Sequence, residues 1–414
     1  MNHTFSFLLL LCMLLFTLAG CDSNTAPADE AGVPGTGMVF CEEGIYFLDE
    51  FTSKNCISFY SHHSGERKTL CPDPLCTHEN KSGCFMYGKR FVRGVLEDNI
   101  LYFSAWDIVK STCVLGSYDL SDMQLTEYVS YDRDSMLEEF VKCGDWLYYY
   151  LLNADGGYDI RRVSIQTKED VLLCQYDQYI CSIQVDHGYL AFGTWEGIYL
   201  SDLSCKDIRL AVRFNESMAS LYYYYLKDGY LYYPANRYTP EIWENDGGRH
   251  DGQLLPCDFY RCSADSDEQS GERVMQNVYG SLFFHQQKIF YLPAELYTML
   301  RYYFHNQQSG DADLPENLFA ITGNHGGIAC YDLNAGSAAP FREMSDLNIT
   351  RICYMDADKM VVLGFDLRAV TIDEDRFIEG GYLSYNHNHG YFLINLKDYS
   401  YHMLMQRYPD QGAY

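Results

Sequence analysis

Three cysteines and one histidine near the start of the chain have the residue types and spacing of a metal site. Cys71, Cys76, His78 and Cys84 fall within 14 residues, in a segment that begins CPDPLCTH. Three thiols and an imidazole supply a complete Cys3His set for tetrahedral zinc. The two prolines stiffen the segment and reduce the entropy lost when it closes around an ion. Because protein would fill all four positions, such a zinc site would be structural rather than catalytic.

Two other states of this segment fit the same spacing. Cys71 and Cys84 could form a local disulfide with His78 as a bystander, or the thiols could remain unbound. Without Cys12 and Cys21 the chain has 14 cysteines, and this even number also permits disulfides elsewhere in an oxidising compartment, although sequence does not determine their pairing. Most other cysteines stand alone within strand-like segments, where cysteine behaves as a small buried hydrophobe: Cys143, Cys174, Cys330 and Cys353.

A repeated strand motif runs through the chain and must position these residues. In each copy a polar turn precedes a short apolar strand, usually rich in aromatic residues. The copies are residues 44–47, 99–103, 145–149, 188–192, 229–233, 288–291 and 359–362. Another apolar strand precedes each copy and a second hairpin follows it, so one unit contains four strands. We therefore predict an all-β fold, a single β-propeller with seven four-stranded blades, the alternatives being six or eight blades or a β-sandwich.

The order of long and short connections predicts a working face. In an up-and-down blade, the second-to-third connections and the blade-to-blade connections lie on one face. The long insertions, residues 234–256, about 295–326 and 366–389, fall between second and third strands, and the cysteine segment follows the first blade. We therefore expect all of them on one face, where long loops on a rigid scaffold commonly bind ligands.

Aromatic residues occur at or within the same connections. Trp106, Trp195, Trp243 and Tyr238, together with Asp366, form the predicted ligand-binding face. An exposed aromatic ring can stack on a sugar or anchor a peptide. The other interpretation is that each tryptophan plugs the end of the propeller.

Carboxylates in these connections raise the question of catalysis. Asp107, Glu196 and Asp366 are among the candidates. Glycoside hydrolysis needs two carboxyl groups at a fixed separation. Acidic residues are frequent throughout this chain, so their presence in the loops singles out no catalytic pair.

The amino-terminal segment has the pattern of an export signal. Residues 1–20 contain no Asp, Glu, Lys or Arg, and residues 8–18 are almost continuously apolar. The run is too short to span a bilayer and ends in LAGC, which resembles the lipobox of bacterial lipoproteins. The resemblance implies lipidation of Cys21, with residues 1–20 as signal peptide, 21–36 as lipid anchor and flexible tether, and 37–414 as propeller. An ordinary signal peptide with an incidental cysteine is the alternative, and the usual Lys or Arg is missing before the apolar run.

Composition limits the partners of the chain. The formal net charge is −27, which repels phosphate backbones and anionic headgroups and therefore argues against a nucleic-acid ligand. The chain has 38 Tyr and 23 Phe but only 11 Pro, a composition suited to a large β core.

The leader and the strand repeat together resemble a group of propeller lipoproteins from anaerobic Gram-positive bacteria. These are distantly similar to receptor-type propellers with tyrosine-rich strand repeats. The resemblance implies the fold and a location on the outer face of the cell membrane, and implies no activity. We therefore predict a monomeric, non-catalytic binding or scaffold lipoprotein that presents its loops to a glycan, a peptide or an envelope protein. The alternative function is a surface carbohydrate-active enzyme, either a glycoside hydrolase or a lyase.

Overall fold

A computed structural model describes the strands and most of the short connections of the chain. The described residues are 37–48, 57–71, 76, 84, 86–153, 155–214, 224–235, 257–266, 271–293, 327–344, 346–366 and 389–406. They contain 27 β-strands and a short 3-10 helix, Arg133–Ser135. Within them no helix is long and apolar enough to cross a membrane.

The strands form seven antiparallel blades whose strands pair in chain order. Blades 1 to 3 contain β1 (Met38–Phe40), β2 (Gly44–Phe47), β3 (Ser58–Ser61), β4 (Arg67–Thr69), β5 (Lys89–Glu97), β6 (Ile100–Asp107), β7 (Thr112–Asp119), β8 (Gln124–Asp132), β9 (Leu137–Cys143), β10 (Trp146–Leu152), β11 (Tyr158–Ser164) and β12 (Asp170–Tyr176). Blades 4 to 7 contain β13 (Ser182–Asp186), β14 (Tyr189–Gly193), β15 (Gly197–Asp202), β16 (Arg209–Arg213), β17 (Tyr225–Lys227), β18 (Tyr230–Ala235), β19 (Cys257–Ser263), β20 (Glu272–His285), β21 (Lys288–Pro293), β22 (Gly327–Asp332), β23 (Ser337–Glu343), β24 (Leu347–Met355), β25 (Lys359–Asp366), β26 (His389–Asn395) and β27 (Tyr401–Gln406). The predicted seven-bladed propeller is therefore confirmed, and each repeated motif forms the second strand of its blade.

Blades 5 and 6 share one long strand. The first half of β20 pairs with β19, and its second half pairs with β21 after a register shift between Tyr279 and Phe283. The outermost strand of blade 5 thus continues directly into the innermost strand of blade 6. The repeat alone did not reveal this continuity, because the repeated motif marks only the second strand of each blade.

Among the described residues, the core consists of seven apolar clusters, one at each junction between neighbouring blades. Successive residues of a strand point to opposite faces of its sheet, so each strand contributes to two junctions. In β10, Leu147 and Tyr149 pack towards blade 2, whereas Tyr148 and Tyr150 pack towards blade 4. Burial on both faces explains why this strand reads as a continuous hydrophobic run, WLYYYLL.

Within the described residues, side-chain packing joins the first and last blades of the ring. Met38 and Phe40 of blade 1 share an apolar cluster with Val361 and Tyr391 of blade 7. Among the described strands, blades 1 and 7 each pair only within their own segment of the chain. The Lys359 ammonium group of blade 7 also donates a hydrogen bond to a backbone carbonyl in the first turn of blade 1.

Connections divide between two faces, which we call the loop face and the turn face. The loop face carries residues 108–111, 153–157 and 194–196 between second and third strands, and residues 133–136 and 177–181 between blades. The turn face carries the short first-to-second and third-to-fourth turns, including residues 98–99, 187–188 and 228–229. Apart from their end residues, the predicted long insertions lie outside the described residues. The strand ends that flank them lie on the loop face: Ala235, Cys257, Pro293, Gly327, Asp366 and His389.

Candidate functional site

Exposed apolar side chains gather on the loop face. Four of the exposed large hydrophobic residues belong to its connections: Ile108, Val109, Met136 and Trp195. Trp195 is the most exposed of them, at 67%. Outside this face, the described residues include two more exposed large hydrophobics, Leu172 in β12 and Tyr230 at the start of β18. A contiguous exposed apolar patch, unlike a single exposed residue, is a common mark of a binding surface.

Trp195 forms an aromatic platform with Tyr179. The two rings are stacked, with centroids 5.7 Å apart and planes inclined by 28°. Tyr158 of blade 3 packs edge-on against Tyr179, with centroids 5.5 Å apart and an interplanar angle of 90°. Tyr179 lies in the connection from blade 3 to blade 4, so the platform straddles that junction. Its tryptophan therefore rests on other rings instead of projecting alone into solvent.

A closed turn holds the tryptophan in place. The Thr194 backbone N–H donates to the Gly197 carbonyl at 2.9 Å, and the buried Thr194 hydroxyl accepts from the Glu196 N–H at 3.1 Å. Glycine is required at position 197, because a Cβ there would lie 2.0 Å from the Val212 carbonyl oxygen. The sequence TWEG therefore closes tightly between β14 and β15 and fixes the backbone of Trp195.

Polar side chains border the platform. Glu196 accepts hydrogen bonds from the Tyr199 hydroxyl at 2.6 Å and from the Gln178 amide at 3.5 Å, and it pairs with the Arg213 guanidinium at 3.0 Å. The Tyr199 hydroxyl and then Arg213 hold the pKa of Glu196 below its usual value. Glu196 is therefore ionised at neutral pH. It offers an acceptor beside the ring, whereas a general acid needs a raised pKa.

Asp107 at the end of β6 is also neutralised by cations. Its carboxylate lies 3.2 Å from the Lys89 ammonium, which is itself buried, and 3.6 Å from Lys110. Burial alone would raise the pKa of Asp107, but the Lys110 backbone N–H and the Lys89 ammonium lower it overall. These contacts suit a structural ion network at the edge of blade 2 and, as for Glu196, disfavour proton donation.

The other residues of the predicted ligand-binding face have varied positions. Trp106 lies within β6, half-buried in the cluster between blades 2 and 3, with the Arg90 guanidinium 5.6 Å from its ring centroid. Asp366 is the last residue of β25 and is half-buried. Trp243 and Tyr238 lie outside the described residues. Their roles on the ligand-binding face remain predictions.

Sequence reasoning did not select Tyr179, the partner of Trp195. The residue follows Asp177 and Gln178 in the connection from blade 3 to blade 4. Blade-to-blade connections lie on the loop face, and this rule was sufficient to place Tyr179 on the predicted ligand-binding face. The prediction considered mainly tryptophans and long insertions, whereas this connection is short and contains a tyrosine.

The structure brings three of the four predicted metal ligands together. The sulfur atoms of Cys71, Cys76 and Cys84 all lie within 4.8 Å of one another, and each residue is a half-buried thiol. In a tetrahedral zinc site with bonds of about 2.3 Å, ligand sulfurs lie roughly 3.8 Å apart, so this spacing fits a thiophilic ion. Burial, followed by a hydrogen bond with Cys76, raises the pKa of Cys84 to about 11. His78 lies outside the described residues.

Packing against blades 1 and 2 positions this thiol cluster. Cys84 and Leu70, the residue before Cys71, pack against the apolar cluster between the two blades, which includes Met86. The Tyr118 hydroxyl of β7 donates to the Leu70 carbonyl at 2.9 Å. The connection from blade 1 to blade 2 is thus tied to the core at both ends, on the loop face.

Comparisons with known proteins identify the fold. No family model matches the chain, and no curated protein matches it. Among solved structures, a prolyl endopeptidase is 10% identical with a TM-score of 0.53, covering 91% of this chain and 50% of that one. Oligogalacturonate lyase from Vibrio parahaemolyticus is 11% identical with a TM-score of 0.45, covering 73% of this chain and 75% of that one. The propeller domain of the Trilobed protease from Pyrococcus furiosus, described as having an open velcro topology, is 9% identical with a TM-score of 0.43, covering 67% and 78%.

These likenesses concern architecture only, because identities so low carry no information about substrates. The seven blades described above define the chain as a seven-bladed β-propeller protein.

Proposed function

We propose that this protein is a non-catalytic, extracytoplasmic binding or scaffold protein whose loop face captures a glycan, a peptide or a protein partner. The observation that carries the proposal is the 67% exposed Trp195, stacked on Tyr179 and fixed by a closed turn. A rigid aromatic ring loses little conformational entropy when a ligand covers it. Anchors of this kind commonly contribute about 2 kcal/mol or more to binding.

Charge and hydrogen-bonding groups favour particular ligands. The net charge of −27 repels polyanions, so we expect a neutral or cationic ligand. The Glu196–Arg213 pair beside Trp195 presents both acceptors and donors without a large local excess of charge. A pyranose, with an apolar ring face and several hydroxyl groups, matches an aromatic platform with such a border. We therefore propose a glycan as the first ligand to test.

The anchoring part of the proposal rests on the leader sequence. The apolar run that ends in LAGC supports lipidation of Cys21, with residues 22–36 as a tether between membrane and propeller. Metabolic labelling with a clickable fatty acid tests it directly. We expect label on the wild-type protein and none after Cys21→Ser. Equal labelling of both would contradict lipid anchoring at this residue.

A glycan and peptidoglycan array probed with the purified mature protein tests the binding function. We expect retention on at least one uncharged glycan, and unchanged glycan after prolonged incubation. Release of shortened or unsaturated products would instead identify a surface carbohydrate-active enzyme. Binding to neither glycan nor peptide arrays, with folded protein, would contradict the proposal.

We further propose that the thiol cluster holds a structural zinc ion, with His78 as the fourth ligand. The support is the convergence of three sulfur atoms on a segment that docks against two blades. Bound zinc would crosslink this connection and so stabilise the loop face beside blades 1 and 2.

Metal analysis of protein purified under reducing conditions tests the zinc proposal. We expect one zinc per chain in the wild type, little or none in Cys76→Ser, and full occupancy in the control Cys330→Ser, which changes a half-buried cysteine of blade 6. Wild-type protein without metal after zinc supplementation would contradict the site.

A further inference from the structure

A second pair of cysteines meets at the junction between blades 3 and 4. Cys174 lies in β12, the outermost strand of blade 3, and Cys205 lies in the turn between β15 and β16 of blade 4. Both pack in the apolar cluster of that junction, beside Tyr148 and Phe192. The two thiols interact across the junction. Residues distant in sequence and in different blades thus bring two cysteines together in one cluster.

The two thiols have different environments. Cys205 is buried, with 7% of its surface exposed, whereas Cys174 is half-buried and accessible at the edge of its blade. The hydrogen bond from Cys205 lowers the pKa of Cys174, and the same contact together with burial raises the pKa of Cys205. An accessible sulfur that favours the thiolate, backed by a protonated buried partner, is the arrangement of an attacking and a resolving cysteine.

We propose that Cys174 and Cys205 are an oxidation site that forms an interblade disulfide by exchange with a low-molecular-weight disulfide. The Cys174 thiolate attacks one sulfur of the small disulfide, forming a mixed disulfide and releasing one thiolate. Cys205 then attacks the Cys174 sulfur, displaces the second thiolate and gives up its proton to it. Two protein thiols are oxidised to one disulfide, and one small disulfide is reduced to two thiols.

The crosslink would affect the Trp195–Tyr179 platform, because it joins the two blades between which the platform lies. The connection that carries Tyr179 begins where β12 ends, and Trp195 lies in the turn between the second and third strands of blade 4. A covalent bond between the two blades would hold these elements at a fixed separation. It would also close a loop of about 30 residues, which typically stabilises a fold. We therefore expect a melting temperature several degrees higher for the oxidised form.

Peptide mapping after incubation with oxidised glutathione tests the proposal. Remaining thiols are blocked under denaturing conditions, and crosslinked peptides are identified by mass spectrometry. We expect a peptide pair that joins Cys174 to Cys205, reversed by dithiothreitol, and its absence in Cys174→Ser. In Cys205→Ser we expect glutathione to remain attached to Cys174, because the resolving thiol is missing. Crosslinks confined to other cysteines, or none at all, would overturn the proposal.

A rate measurement on unmodified protein avoids dependence on the folding of these variants. Cys330 is a suitable internal reference, because it is also a half-buried strand cysteine and burial raises the pKa of its thiol. With iodoacetamide at neutral pH, we expect Cys174 to be alkylated at least about tenfold faster than Cys330, since the thiolate is the reactive species. Equal or slower alkylation of Cys174 would remove it as the attacking thiol.

Discussion

The two faces of the propeller differ in how their residues are used. On the turn face, polar groups are engaged between blades: the Gly229 N–H of blade 5 donates to Asp186 of blade 4 at 3.4 Å, and the Arg209 guanidinium of blade 4 donates to the Ala264 carbonyl of blade 5. On the loop face, the described connections carry exposed apolar side chains and a half-buried thiol cluster. Hydrogen bonds of the short turns join neighbouring blades, whereas we propose that the loop face binds the ligand.

Because of this difference, mutations on the two faces should affect stability and binding differently. A face whose hydrogen bonds join blades should lose stability when it is altered, because buried or interlocked groups lose their partners. Removal of an exposed ring from the loop face should weaken binding and preserve stability, because such a ring contributes little to the folded state. Tightly packed backbone positions on the same face remain important for stability. The comparison can be tested by matched changes on the two faces.

Trp195→Ala should produce the largest functional effect. Removal of the exposed ring should weaken binding of the best glycan from the array by about 2 kcal/mol, roughly thirtyfold, with the melting temperature unchanged. The matched control is Tyr230→Ala, which removes an exposed aromatic residue from the turn face. Isothermal titration calorimetry measures both. If the two variants bind equally well, the functional distinction between the faces is lost.

Gly197→Ala should be the most destabilising small change on the loop face. The new methyl group would lie 2.0 Å from the Val212 carbonyl oxygen and 2.8 Å from the Leu210 side chain. Because backbone must move to relieve the first contact, we expect a loss of roughly 3 kcal/mol in the free energy of unfolding. Urea denaturation measures this loss of stability. A loss smaller than that of Gly188→Ala would contradict the close approach of Gly197 to the Val212 carbonyl.

Gly188→Ala on the turn face should have a smaller effect. Gly188 has a φ of +84°, and a Cβ at this position would meet no atom within 4 Å. The cost is therefore backbone strain alone, about 1 kcal/mol. Urea denaturation beside Gly197→Ala provides the comparison. No measurable loss would show that this turn adopts another conformation.

Acid should weaken the junction that closes the ring. His62 lies in the turn between β3 and β4, where burial and then the nearby Lys359 lower its pKa to about 4. An unfolded histidine has a pKa of about 6.5. Between these values the unfolded chain binds more protons, so stability should fall as the pH is lowered from about 6.5 to about 4 and should be unaffected above that range.

Urea denaturation at pH 7 and pH 5 measures this effect. We expect His62→Gln to lose less stability between the two pH values than the wild type does. An unchanged difference would assign the acid sensitivity to other groups. This is the smallest expected effect, since His62 is only half-buried.

Local pattern was sufficient for much of the fold. Each aromatic strand motif proved to be the second strand of a blade, because a strand buried between two neighbours needs apolar residues on both faces. The fusion of two blades through β20 was missed, since register within a long strand depends on which partners flank it. Trp195 could be selected by its position after a second strand, whereas Tyr179 could not be paired with it.

The sequence by itself determined the number of blades, the direction of each connection and the local grouping of Cys71, Cys76 and Cys84, because all three depend on spacing along the chain. Only the tertiary structure decided that Cys174 meets Cys205 and that Tyr179 supports Trp195. These contacts join neighbouring blades. Their geometry is determined by how twisted sheets pack face to face around the ring, and no pattern within one strand encodes that packing.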